Sequence, residues 1–144
     1  MEVARTIAKR ATCDRGRSGC VIAKDNQILV TGYVGSPAGL AHCDEAGHLM
    51  RKMIHADGSV TQHCVRTVHA EQNAIIQAAT LGQSIEDGAI YITHQPCAIC
   101  AKMIINAGIK RIVVREGYPD NLAVDILDEA GLKVITMGKE TTEK

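Results

Sequence analysis

Two short stretches carry side chains that chemistry can use at close spacing. In VRTVHAEQNAII, residues 65–76, the apolar Val65, Val68, Ala70, Ala74, Ile75 and Ile76 read as the start of a core helix, yet His69 and Glu71 occupy its first turn. In THQPCAIC, residues 93–100, Pro96 precedes Cys97, and Cys100 follows three residues later. On a helix those cysteines project from one face, so both thiols can meet one ion, and the helix N-terminus favours the thiolate that a metal requires. His69, at the start of the other helix, supplies a third ligand. Two thiolates and an imidazole suit zinc, and three protein ligands leave the fourth tetrahedral position open to water. Two thiolates also neutralise the ion, so its water is acidified less than at a tris-histidine site. Glu71 then has a purpose: it takes the proton from that water and hands it on. The alternative is a closed Cys-Cys-His-Cys zinc with Glu71 as a solvated surface acid, which leaves the HAE spacing unexplained.

The elements that must position these groups can be read from periodicity. Residues 1–11 form an amphipathic helix, with Val3, Ile7 and Ala8 opposite Arg5, Lys9 and Arg10. The apolar runs at 19–23 and 27–33, separated by the turn residues KDN, predict a hairpin. From residue 89 the chain alternates: strand 89–93, helix 97–108 ended by Gly108, strand 110–115, helix 120–131 ended by Gly131, strand 132–137. That order implies right-handed crossovers and a largely parallel arrangement with helices on both faces.

Residues 34–68 resist this scheme. Five glycines and prolines, Gly35, Pro37, Gly39, Gly47 and Gly58, break the stretch, and no period is sustained, so a long irregular insert is expected. It carries His42, Cys43, His48, His55, His63 and Cys64. A segment too polar to bury itself can be ordered by a metal.

Bulk properties set limits. A chain of 144 residues fits one domain, here taken as residues 1–144. There is no Trp or Phe and only three Tyr, so the core must be aliphatic. Sixteen basic and sixteen acidic residues cancel, which argues against a long nucleic acid as partner. MEVARTIAKR lacks the apolar run of a secretory signal and no stretch is long enough to span a bilayer, so a cytoplasmic protein with reduced cysteines and no membrane partner is expected. Six cysteines in that setting point to metal binding or catalysis, although Cys13, Cys20 and Cys64 also read as small buried hydrophobes.

HAE at 69–71 with PCAIC at 96–100 matches the H-x-E and P-C-x-x-C signature of zinc-dependent deaminases, a likeness of motif and not a deduction from spacing. More narrowly, GYVGSPAGLAHCDEAGH (32–48), HCVRTVHAEQNAI (63–75) and PCAICAKMIINAGIKRIV (96–113) resemble the deoxycytidylate deaminases of the cytidine deaminase-like superfamily. The resemblance covers roughly residues 5 to 137. It implies an α/β fold, a three-layer α/β/α sandwich with a five-stranded mixed sheet. It also implies hydrolysis of dCMP to dUMP and ammonia, homo-oligomers that are often hexamers, and control by dCTP and dTTP.

The same resemblance implies that backbone groups of Ala70 and Cys97 orient the base and that Asn73 faces the pocket, although a helix-stabilising contact fits Asn73 equally. Tyr118 is placed to stack on base or ribose, or to sit at the core edge. Phage-type relatives imply a second zinc held by Cys13, Cys43 and His63, with His48 as the fourth ligand; the alternative is loop polar groups and a buried thiol. The Gly-rich turn at Gly35 and Ser36, with Asp44, is a candidate effector site, although such turns more often merely turn. One position departs from the family: Val34 stands where an Asn is expected to bind the sugar. A relative acting on cytidine, guanine, a pteridine-like base or adenosine in tRNA is the second reading, and a zinc-stabilised binding module without catalysis the third.

Overall fold

The computed structural model describes residues 1–117 and 120–137. The chain opens with helix α1 (Glu2–Ala8) and the hairpin β1 (Gly19–Lys24) and β2 (Gln27–Tyr33). Asp25 and Asn26 turn this hairpin with φ of 52° and 61°. Two left-handed residues in a two-residue loop match the strand twist, and Asp and Asn tolerate that region. The later alternation is β5 (Ala89–His94), α4 (Ala98–Asn106), β6 (Arg111–Glu116), α5 (Asn121–Glu129) and β7 (Val134–Thr136), within one or two residues of expectation at most ends.

The strands form one sheet in the order β2-β1-β5-β6-β7. β5, β6 and β7 run parallel, as their helical crossovers demand, whereas β1 is antiparallel to both β2 and β5. The sheet is therefore mixed, because a hairpin and not a crossover supplies its first two strands. Ile22, Ile90, Ile92, Ile104, Ile112, Val114 and Leu127 are fully buried, an aliphatic core as the composition requires.

Two glycines show how the layers approach. A methyl group on Gly19 would overlap the backbone of Ala4 and Ala8 in α1. One on Gly32 would overlap the carbonyl of Ala70 and the amide of Ala74, in helix α3 (Ala70–Leu81). Gly32 is the register partner of Cys20, the residue after Gly19, and successive strand residues face opposite sides, so α1 and α3 cover opposite faces. The molecule has three layers. The glycine contact also seats the first turn of α3 directly on β2.

The segment 34–68 departs from the irregular insert expected. It contains the short helix α2 (Cys43–Ala46) and a separate two-stranded hairpin, β3 (Met50–Ile54) with β4 (Val60–Cys64). Its strands hid from periodicity because both faces are largely exposed: Met53, Ile54 and Val60 all lie open. The Asp57–Gly58 turn was the available signal. A bridge closes the excursion at its base, where Gly35 and Val68 exchange backbone hydrogen bonds of 3.3 and 2.9 Å. The next residue is His69. Among the described residues no helix is long and apolar enough to cross a membrane.

Candidate active site

His69 is the N-cap of α3, and Gln72 anchors it by accepting a hydrogen bond from the His69 backbone N–H at 2.9 Å. Cys97 is the N-cap of α4, and Cys100 lies in its first turn. Asp120, the N-cap of α5, accepts from Ala98 N at 3.1 Å and from Ala123 N at 3.2 Å, so one carboxylate ties the starts of α4 and α5 together. The sequence reading missed Asp120; its capping position was the signal.

These ends bring His69 Nδ1 to 3.4 Å from Cys100 Sγ and 3.6 Å from Cys97 Sγ. Bond lengths of about 2.0 Å for zinc–nitrogen and about 2.3 Å for zinc–sulfur put tetrahedral ligands roughly 3.5 Å apart. The three donors therefore fit zinc, and among the described residues no fourth His, Cys, Asp or Glu joins this group. Cys97 is pulled down to about 4, chiefly by the hydrogen bond from Cys100 and, against burial, by His69. Cys100, the donor to Cys97 and buried besides, is pushed up. His69 is raised by its bond to Cys97.

Glu71 is only 5% exposed, and it shares with Thr93 the distinction of being a buried polar residue among the described ones. Burial raises its carboxyl to about 7, which suits an acid–base group at neutral pH. Glu71, His69 and Cys97 line a cleft of about 430 Å³. A carboxylate this dry and this close to three metal-type donors can move protons to and from a molecule in that cleft.

A second cluster reaches the same cleft through Cys13 and Cys64. Cys13 Sγ lies 3.6 Å from His48 Nδ1, and Cys43 Sγ lies 3.5 Å from Cys64 Sγ. All four donor atoms lie within 4.8 Å of one another. The expected His63 is replaced here by its neighbour Cys64. Adjacent strand residues point to opposite sides, and His63 Nε2 instead lies 2.7 Å from Thr61 Oγ1. Asp14 Oδ1 sits 3.0 Å from His48 Nε2, which leaves Nδ1 for a metal. Burial and the contacts with Cys64 and Cys13 raise Cys43 to about 12. Cys64, against burial, is brought down to about 7 by the Arg66 backbone N–H, His48 and Cys43. Cys20, by contrast, is a fully buried hydrophobe in the sheet.

This arrangement has a family. Residues 1–116 match the model described as the cytidine and deoxycytidylate deaminase zinc-binding region. The chain belongs to that family. It is a zinc-dependent hydrolytic deaminase with the family's α/β fold. It is 38% identical to ComE operon protein 2 of Bacillus subtilis over 93% of this chain and 67% of that one. It is 34% identical to the deoxycytidylate deaminase of Enterobacteria phage T4, over 100% of this chain and 91% of that one. Its structure resembles the dCMP deaminase of cyanophage S-TIM5 in complex with dCMP and dUMP. That match has a TM-score of 0.76 and 31% identity, over 94% of this chain and 92% of that one.

Other expected site residues of this deaminase fall as follows. Asn73 does not line the cleft; its Nδ2 donates to Tyr33 O at 2.7 Å, so it holds the end of β2 against α3. The Ala70 side chain is fully buried, leaving only its backbone to any substrate role. Val34 lines the cleft and offers a substrate no hydrogen bond. Gly35 is spent in the bridge to Val68, and Asp44 lies 3.8 Å from Arg17. Ser36 Oγ is buried without a partner among the described residues. Tyr118 lies outside the described residues.

Proposed function

We propose that this deaminase hydrolyses dCMP to dUMP and ammonia, with His69, Cys97 and Cys100 as ligands of a catalytic zinc and Glu71 as the proton carrier. The observation that carries this reading is the open three-donor set, His69 with Cys97 and Cys100, beside the buried Glu71. The substrate class is supported by the phage relatives, one of which was solved with dCMP and dUMP.

When bound, zinc supplies an acidified water as the nucleophile. Glu71 takes a proton from the attacking water and delivers it to N3 of the pyrimidine, and the water oxygen bonds to C4. Glu71 then moves a second proton to the exocyclic amine, the C4–N4 bond breaks and ammonia leaves. Burial keeps Glu71 protonated in part near neutrality, so it can serve as base first and acid afterwards. The backbone of Ala70 and Cys97 orients the base edge.

The test is ammonia release by the zinc-loaded protein with dCMP, CMP, deoxycytidine and guanine. The highest kcat/KM is expected on dCMP; preference for guanine or a free nucleoside sinks the assignment. Cys13, Cys43, His48 and Cys64 are proposed to hold a second, structural zinc, expected as two metals per chain in elemental analysis. Homo-oligomers, up to a hexamer, and control by dCTP and dTTP rest on the family resemblance. Light scattering tests the first, and loss of sigmoidal dCMP kinetics on adding dCTP tests the second.

A further inference from the structure

Thr93 poses a question that the zinc chemistry does not answer. It is 5% exposed, it lies at the end of β5, and its hydroxyl serves three partners. Gly19 N donates to Thr93 Oγ1 at 3.1 Å, Ser18 Oγ lies at 3.0 Å, and His94 Nδ1 lies at 3.0 Å. Gly19 occupies one acceptor position. If Ser18 donates into the other, the single Thr93 proton goes to His94 Nδ1, and the imidazole proton sits on Nε2. The backbone amide and one hydroxyl would suffice to satisfy Thr93. The bond to His94 is additional, and its effect is to fix the plane of the ring.

His94 lines the catalytic cleft together with Glu71, His69 and Cys97. With Nδ1 held from behind, Nε2 is the atom left for the cleft. Arg15 lines the same cleft and has no ion-pair partner among the described residues. Val34 brings no polar group, and His63 is bonded to Thr61. An imidazole and a guanidinium that are both exposed in the cleft, with the buried acid Glu71 also in its lining, suit a ligand that is uncharged at its reacting end and anionic at the other.

We infer that His94 is a specificity-determining residue that donates through Nε2 to the 5′-phosphate of the nucleotide, with Arg15 as its cationic partner and Thr93 and Ser18 as positioning residues. This rests on the nucleotide reading above and deepens it. It makes the relay at the start of β1 and the end of β5 the element that distinguishes a nucleoside monophosphate from a nucleoside.

The experiment measures binding of dUMP and of deoxyuridine to the zinc-loaded protein by calorimetry, so that turnover plays no part, with dCMP turnover assayed in parallel. Wild type should bind dUMP the more tightly, and His94→Ala should cut that preference about 10- to 100-fold, the range expected for losing a hydrogen bond to a charged group. Arg15→Ala should cut it similarly. Thr93→Val should cut it less, since the imidazole stays but is no longer aimed, and His94→Gln should restore part of it. Circular dichroism and metal content check that each variant is folded and loaded. A wild type that deaminates dCMP while His94→Ala keeps the full preference, or loses affinity equally for both ligands, overturns the phosphate role alone. A wild type that neither binds dUMP nor turns over dCMP overturns the nucleotide reading and this inference with it.

Discussion

The two donor clusters of this molecule use the same chemistry in opposite ways. His69, Cys97 and Cys100 sit at the starts of two helices packed on a five-stranded sheet, so their convergence is set by the core. Cys13, Cys43, His48 and Cys64 come from a loop, a four-residue helix and an exposed two-stranded hairpin, none of which has a core of its own. An isolated hairpin is marginal in water. In the first region the scaffold makes the site; in the second, the proposed metal would make the scaffold. Ligand number follows: three donors beside an acid leave room for water, and four close the ion off.

The comparison breaks most sharply at Glu71. Glu71→Gln should lower kcat by about a thousandfold or more, the range for a lost acid–base group acting on a poor nucleophile, while metal content stays that of wild type. An assay of turnover beside elemental analysis checks it, and a merely tenfold loss would place the proton transfer elsewhere. Cys43→Ala should do the reverse. It should remove one metal per chain and several kcal/mol of stability, with hydrogen exchange accelerated across 43–64 and slow elsewhere. Equal loosening of the central sheet would show that the second cluster supports the whole fold.

Smaller perturbations sharpen the contrast. Gly32→Ala forces β2 and α3 apart and should cost about 1–3 kcal/mol, as overpacking does, with activity falling before the second metal is lost. Denaturant titration with metal analysis separates the two effects. Asp14→Asn weakens the support of His48, and the affinity of the second metal should fall about tenfold while kcat stays near wild type. Competition with a chromogenic chelator reads this directly.

Much of this was legible in the residues because it is local. The Asp-Asn turn, the apolar alternation after residue 89 and the terminal glycines are each written within a few positions, and the elements formed where they pointed. The HAE and PCAIC segments pointed to donors that the fold brings together, because helix starts project side chains in a fixed way. The insert was less legible. Its strands bury too little to show a period, so the hairpin was missed, and with it the alternation that turns Cys64 inward and His63 away. Asn73 stayed open between two readings for a related reason: nothing local shows that Tyr33 O lies within reach of its amide.

Sequence by itself determined the donor types, their spacing along each helix and the acid beside them, since these are properties of short segments with known geometry. Tertiary structure alone decided that His69 closes to 3.6 and 3.4 Å on Cys97 and Cys100, 28 and 31 residues away, that Cys64 joins Cys13, Cys43 and His48, and that Thr93 meets the ring of His94 at the cleft. The reason is physical: distance and burial between remote segments are fixed by how the sheet and helices pack, and no short stretch of chain encodes that packing.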